Sequence, residues 1–169
     1  MSLTLPLQKK AFLSHVLFNK VRGQVDDLFI ELDNPHLHIF DNRRVLLQFS
    51  EMDSMQELMA NWVSFELNTE LATHIIGVEL AYNGAVYSSE QPDHVNLAIC
   101  LYNNSSESWP IYIAPIKDDA PPDNSSDEWQ QYIPKVNQVI IWDSSTHWTR
   151  RDPFVGECHV TLNMNFRKV

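Results

Sequence analysis

Glycine is nearly missing from this chain, with four in 169 residues. That excludes collagen-like repeats and glycine linkers, and it argues against the glycine-rich loops that cradle phosphates. Basic side chains are also few: 12 Lys and Arg against 22 Asp and Glu, a formal net charge of −10. Such a chain repels phosphate backbones, so direct nucleic-acid binding is disfavoured. Its basic residues gather only as pairs, Lys9-Lys10, Arg43-Arg44 and Arg150-Arg151, and pairs are usually solvated surface. The two cysteines, Cys100 and Cys158, show no CxxC spacing, and each sits inside an apolar strand pattern. They are expected to be buried free thiols in a reducing cytosol. No apolar run approaches the roughly 18 residues of a membrane span. The opening MSLTLPLQKKAF has neither the apolar stretch nor the cleavage site of a secretory leader.

Apolar residues make up 44% of the chain, enough for one core. At this length a single domain buries about 70% of its unfolded surface and needs no disulfide or metal. The organising stretch is VLLQFSEMDSMQELMANWVSFE, residues 45–66. Val45, Leu47 and Phe49 alternate with Leu46 and Gln48, a strand pattern. The period then changes, and Met55, Leu58, Met59, Trp62 and Val63 recur at helical spacing. Ser54 with Glu57 three residues later fits a capping box. Asp53 and Glu57 put negative charge where the helix dipole favours it. A strand therefore feeds directly into a helix, with Leu58 and Trp62 expected in the core.

An earlier helix is expected to run from just after Pro6 to about Val25. Leu13, Leu17, Val21 and Val25 line one face, with Phe12 and Val16 beside it. Residues 36–40, 75–82, 94–102 and 136–142 read as strands, and Asn83-Gly84 is a hairpin signal. Trp109 to Ile116 is extended, but Pro110 and Pro115 confine it to a sheet edge or an arm. KDDAPPDNSSDE, residues 117–128, is acidic and almost free of apolar side chains, so it is expected to be mobile. Asp143 to Asp152 reads as irregular. The closing segment, 157–169, alternates most cleanly: Cys158, Val160, Leu162, Met164 and Phe166 against His159, Thr161, Asn163, Asn165 and Arg167. One wet face on that strand points to the α+β class, a mainly antiparallel sheet with two principal helices packed on one face. The chain reads as a single α+β domain over 1–169, with an acidic Pro-rich loop or arm at about 103–135.

Candidate chemistry is thin. His36 and His38 share a strand face, and HxH occurs in metal sites, including those of double-stranded barrels. Asp41 is too close in sequence to complete such a set, and the glycine-rich turns of those barrels are missing. Two rim histidines are the plainer reading. Cys158 and His159 cannot pair as nucleophile and base, because strand neighbours point to opposite faces. Cys100 with a distant histidine is the other such arrangement. No G-x-S-x-G, P-loop, G-x-G-x-x-G or H-E-x-x-H occurs. The stretch WDSSTHWTRRDP concentrates Trp142, His147, Trp148, Arg150 and Arg151. Exposed aromatics with arginines mark contact surfaces; the other reading is a loop folded back on its own core through its tryptophans.

The layout also resembles a family. An N-terminal helix leads to LHIFDN, and a strand passes into a helix reading D-x-x-x-x-L-M-x-x-W-V on Asp53, Leu58, Met59, Trp62 and Val63. Two strands and a Pro-rich acidic segment follow. This order is similar to that of the tail completion and tail terminator proteins of tailed bacteriophages, notably P2-like phages. HWTRRDPFVGECHVTLNMNF resembles the closing arginine-bearing loop and strand of lambda-like terminators. The resemblance implies a non-enzymatic virion protein assembled in the host cytoplasm. It would form a ring with itself, usually a hexamer, that caps the tail tube and joins it to head–tail connector proteins. It implies no catalytic residue, cofactor, metal, membrane or specific nucleic acid, and an acidic lumen would let DNA pass without sticking. Trp148, Arg150, Arg151 and Trp109 are then expected at a subunit interface, facing Asp118, Asp119 and Asp123 of the next subunit. Arginine forks pair with carboxylates, and unlike patches close a ring. The alternatives are an acidic inhibitor or immunity protein masking a basic partner site, and a small enzyme using His36 and His38.

Overall fold

The computed structural model describes residues 5–10, 13–30, 37–41, 44–48, 53–82, 94–105 and 108–169. In chain order these form β1 (Leu7–Lys9), α1 (His15–Ile30), β2 (Leu37–Asp41), β3 (Arg44–Gln48), α2 (Asp53–Leu67), β4 (Leu71–Tyr82), β5 (His94–Asn104), β6 (Ile111–Pro115), β7 (Gln130–Tyr132), β8 (Val139–Asp143), β9 (His147–Arg150) and β10 (Cys158–Lys168). No described helix is long and apolar enough to cross a membrane.

β10 is the axis of the molecule. Its period-2 pattern puts Val160, Leu162, Met164 and Phe166 on one face, and each is 0% exposed. They pack with Val95, Leu97, Ile99 and Leu101 of β5 and with Val139 and Ile141 of β8. Leu13, Phe18, Val21, Ala60 and Val63 close this core from the helical side. Each such side chain contributes roughly 1.5–3 kcal/mol by leaving water. β10 pairs antiparallel with β5 on one side and β4 on the other. Among the described residues the strand order of this sheet is β1-β8-β5-β10-β4-β3-β2.

The helices depart from the periodicity in instructive ways. α1 begins at His15, because the Ser14 hydroxyl accepts the Leu17 backbone N–H and caps it. The residues before it form β1, paired with β8. Val16 is 80% exposed, and Phe18 takes the core position instead. α2 begins at Asp53, so Ser54 lies inside its first turn and not at its cap; the side chains of Ser54, Met55 and Met59 lie outside the described residues. Val63 is fully buried, while Trp62 is half-buried with the Lys9 ammonium 4.7 Å above its ring. Asn83-Gly84 and His36 lie outside the described residues, as do Phe12 and the side chain of Leu58.

A second sheet overturns the expected α+β class with two principal helices on one face of a single sheet. β7, β6 and β9 form a three-stranded antiparallel sheet in that order. Ile111 and Ile113 of β6 pack on Ala98, Ile140 and Trp142 of the large sheet, with Tyr132 at the margin. From β5 onward the chain alternates between layers: β5 large, β6 and β7 small, β8 large, β9 small, β10 large. This is a mostly antiparallel double-sheet plan of the jelly-roll kind; the two short helices only back its larger sheet. The polar face of β10 is therefore not wet along its length. His159 is 1% and Thr161 3% exposed, because a polar strand face can be covered by another layer as well as by water. β6 is the central strand of the small sheet, not an edge. Pro110 precedes it and Pro115 ends it, where a missing N–H costs no interior ladder bond.

The acidic stretch 117–128 is largely exposed and makes a few contacts. Lys117 pairs with Glu128 at 2.8 Å. The Trp129 indole donates to the Asp123 carbonyl, and Arg150 donates to the Asn124 carbonyl. Both β6 and β7 lie within the 103–135 region that reads as an arm.

Candidate functional site

The gap between the sheets holds an unusual row of polar side chains. Thr161 on β10 stands opposite Glu79 on β4 and opposite Cys100 on β5. His159, one step along the same face, stands opposite Ala81. All four polar members are buried, with Glu79 at 4% and Cys100 at 0% exposure. The segment after β9 folds over them and brings Arg151 and Phe154, while the residue pair before β6 brings Trp109. The Trp109 and Phe154 rings lie 5.1 Å apart and meet the His159 ring edge-on at 5.2 and 5.9 Å. The Arg151 guanidinium stacks 4.1 Å over Trp109 and is 5% exposed.

Gly156 makes that fold-over possible. A Cβ there would sit 2.7 Å from the Phe154 ring and 2.7 Å from the Ser105 side chain. Only a residue without a side chain lets the two strands of chain approach so closely.

Hydrogen bonds order the row. His159 Nδ1 lies 3.1 Å from Thr161 Oγ1, and His159 Nε2 lies 3.7 Å from Cys100 Sγ. Asn163 donates to Glu79 at 2.9 Å. Further along the face Asn165 donates to Asn96 at 2.9 Å. Burial first, and then the Arg151 charge, pull His159 down to about 3. Burial pushes the Cys100 thiol up to about 11 against the pull of Arg151. At neutral pH the imidazole is uncharged and the thiol keeps its proton. The anticipated pairing of Cys100 with a distant histidine exists, but it is not an activated nucleophile with a base.

Arg150 lies elsewhere. It donates to the Asp152 carboxylate at 2.7 Å and to the Asn124 carbonyl at 3.2 Å. Its guanidinium stands 4.3 Å over Tyr112 and 5.1 Å over Trp129. Of the residues expected at a subunit contact, Asp118, Asp119 and Asp123 are exposed, Trp148 and Arg150 are half-buried, and Trp109 and Arg151 are inside the subunit. Trp109 also lines a groove of about 560 Å³ with Pro110, Tyr112, Gln131, Asp152 and Pro153. That ring thus stands between the open surface and the buried row.

The sequence reading missed Glu79 and Thr161 as site residues. One signal was available: between Cys158 and Phe166 the polar side of β10 carries His, Thr and Asn but no Lys, Arg, Asp or Glu. A strand face open to water usually carries charge.

No protein-family model matches the chain, and no curated protein matches it in sequence. Solved structures do match it in fold. A Pseudomonas putida prolyl-4-hydroxylase is 13% identical, with a TM-score of 0.63 over 96% of this chain and 92% of its own. HygX from Streptomyces hygroscopicus, solved with nickel, 2-oxoglutarate and hygromycin B, is 9% identical, with a TM-score of 0.65 over 95% and 82%. A Trichoplax adhaerens prolyl hydroxylase, in complex with a hypoxia inducible factor oxygen degradation domain peptide fragment, is 12% identical, with a TM-score of 0.68 over 95% and 82%. At these identities the likeness is one of fold. It overturns the resemblance to phage tail terminators, and with it the non-enzymatic, ring-forming tail role and the virion vocabulary drawn from that resemblance. Structures that share this double-sheet plan thus include two prolyl hydroxylases, a protein solved with 2-oxoglutarate and an alpha ketoglutarate dependent epimerase, SnoN.

Proposed function

We propose that this chain is an enzyme of the 2-oxoglutarate-dependent kind, which seats the carboxylate of a 2-oxo acid between its two sheets. The observation that carries this reading is the buried Arg151, whose charge acts on an uncharged His159 that is itself hydrogen-bonded to Thr161, in a fold shared with a protein solved with 2-oxoglutarate bound. A guanidinium fork matches a carboxylate with two parallel hydrogen bonds. In a gap this dry the pairing is stronger than in water. Trp109 and Phe154 exclude water from the row, and Trp109, which faces the outer groove, is the gate a ligand must pass.

The metal of such enzymes is a separate matter. Among the described residues no group of three His, Cys, Asp or Glu is placed to hold an ion. The two donors that do meet, Cys100 and His159, are engaged with each other, and the thiol is protonated. The described residues therefore do not fit a metal centre, and no step is derived through one. His36 lies outside the described residues, and His38 lies on β2.

Calorimetric titration with 2-oxoglutarate, with and without iron(II), tests the proposal. Saturable binding in the ordinary enzyme range of about 1 μM to 1 mM is expected. Arg151→Met and Thr161→Val should each weaken it. No saturable binding by the folded wild-type protein overturns the reading.

A further inference from the structure

Residues 151–157, between β9 and β10, join no ladder of either sheet. They nevertheless cover the polar row. Two of their side chains turn inward, Arg151 at 5% and Phe154 at 1% exposure. Phe154 packs on the Trp109 and His159 rings. The residues around it face water: Asp152 and Pro153 are exposed, and Val155 is 60% exposed. An aromatic plug is thus carried on a short, unpaired stretch of chain.

That stretch is latched on both sides of the plug. The Trp109 indole N–H donates to the Asp152 carbonyl at 2.7 Å, and the Ser105 hydroxyl donates to the Val155 carbonyl at 2.6 Å. Both donors belong to the connection between β5 and β6. At the β10 end the Glu157 N–H donates to the Asn104 carbonyl at 3.2 Å. The outer groove follows this seam: its lining includes Ser108, Trp109 and Pro110 from the connection and Asp152, Pro153 and Val155 from the covering segment. Parting the seam joins the groove to the row.

A local opening costs only what it breaks. Lifting 151–157 breaks the latches and the packing of Phe154. Global unfolding also breaks the ladders of β10 with β5 and β4. We propose that residues 151–157 are a lid, which opens as a unit while both sheets stay folded and gives access to Cys100, His159 and Thr161. Trp109 and Ser105 are its latches.

Cys100 reports the opening. It is 0% exposed, and its sulfur lies 3.7 Å from His159 Nε2, behind the ring that Trp109 and Phe154 cover. The test is labelling of the full chain with methyl methanethiosulfonate in a series of urea concentrations below the unfolding midpoint, with Cys100 and Cys158 distinguished by peptide mapping. At low urea, Cys100 is expected to react faster than global unfolding allows, with a rate that barely depends on urea, because a small opening exposes little surface. Ser105→Ala should speed this reaction about fivefold, the worth of one neutral hydrogen bond, with little change in the urea midpoint. Trp109→Phe, which keeps a ring and loses the N–H, should act in the same direction when read against its own midpoint. Labelling of Cys100 that tracks global unfolding at every urea concentration overturns the lid, and so does a wild-type rate in Ser105→Ala. No ligand enters the experiment, so its outcome is separate from that of the carboxylate seat.

Discussion

Arg150 and Arg151 are neighbours in sequence and part company in space. Arg150 lies between Tyr112 and Trp129 and is tied to Asp152; Arg151 turns inward, stacks on Trp109 and sits beside His159. The pair that reads as a surface contact is therefore two devices, one fastening an acidic segment and one charging the interior. Any interface involving this face would have to use Arg150 in a place where it already serves its own chain.

The fastening is testable. Arg150→Ala removes the donor to Asn124, the Asp152 pair and both ring contacts at once. Limited proteolysis should then cut within 117–128 faster than in the wild type. The global cost should stay small, about 1–2 kcal/mol, because a half-exposed ion pair and cation–π contacts are each worth about 1 kcal/mol or less. Equal protease resistance in the variant would show that Lys117–Glu128 and the Trp129–Asp123 bond hold the segment alone.

Gly156→Ala should act on the interior. The added methyl meets Phe154 and Ser105 at 2.7 Å, so the 151–157 segment must lift off. Overpacking of this kind costs typically 1–3 kcal/mol. Denaturant unfolding should show that loss, and the near-ultraviolet signal of Trp109 should change with it. A variant as stable as the wild type would mean that the segment yields freely.

The strands were legible because burial writes a period of two. β5, β8 and β10 each lie within a few residues of the alternation that marks them. The second sheet was not legible, for physical reasons. β7 has three residues and β9 four, too few for a period. β6 carries two prolines at its margins, which read as an edge until the partner strands on both sides are seen. Scarce glycine argued against a barrel-like plan, yet at Gly156 a single residue suffices for the crucial close approach. The site was half legible. Cys100 with a distant histidine was a candidate, but which histidine it meets depends on the β5–β10 register, a contact between residues 59 apart. Burial of His159 depends on a layer that local pattern does not announce.

At the far end of β10 a pH dependence is built in. Burial raises the Asp143 carboxyl, but hydrogen bonds from Lys168 and Ser145 outweigh it and hold the group below its ordinary value of 3.8. A depressed carboxyl stabilises the fold above its unfolded value and loses that contribution as pH falls through the folded one. Asp143→Asn should therefore cost about 1–2 kcal/mol at neutral pH, the worth of hydrogen bonds to a charged group. The difference from wild type should shrink as the pH drops below roughly 4. A constant difference from pH 7 to pH 2 would assign the cost to packing instead.

His159 gives the opposite end of the row a larger dependence in a different window. Its folded value lies near 3 and its ordinary value at 6.5. Above 6.5 both states are neutral, so the group adds no pH dependence. Below 6.5 the unfolded chain binds a proton that the folded chain refuses, and stability falls by about 1.4 kcal/mol per pH unit. The fall continues until the folded imidazole titrates near 3. At pH 5 the wild type should thus have lost roughly 2 kcal/mol from this residue alone. His159→Phe keeps the contact with Trp109 and Phe154 and has nothing to protonate. Its unfolding free energy should be nearly flat between pH 6.5 and 5, once the contribution of the other histidines, common to both proteins, is subtracted. Parallel pH profiles for the two proteins would mean that His159 accepts a proton in the folded state, and the uncharged reading of the row would fail with it.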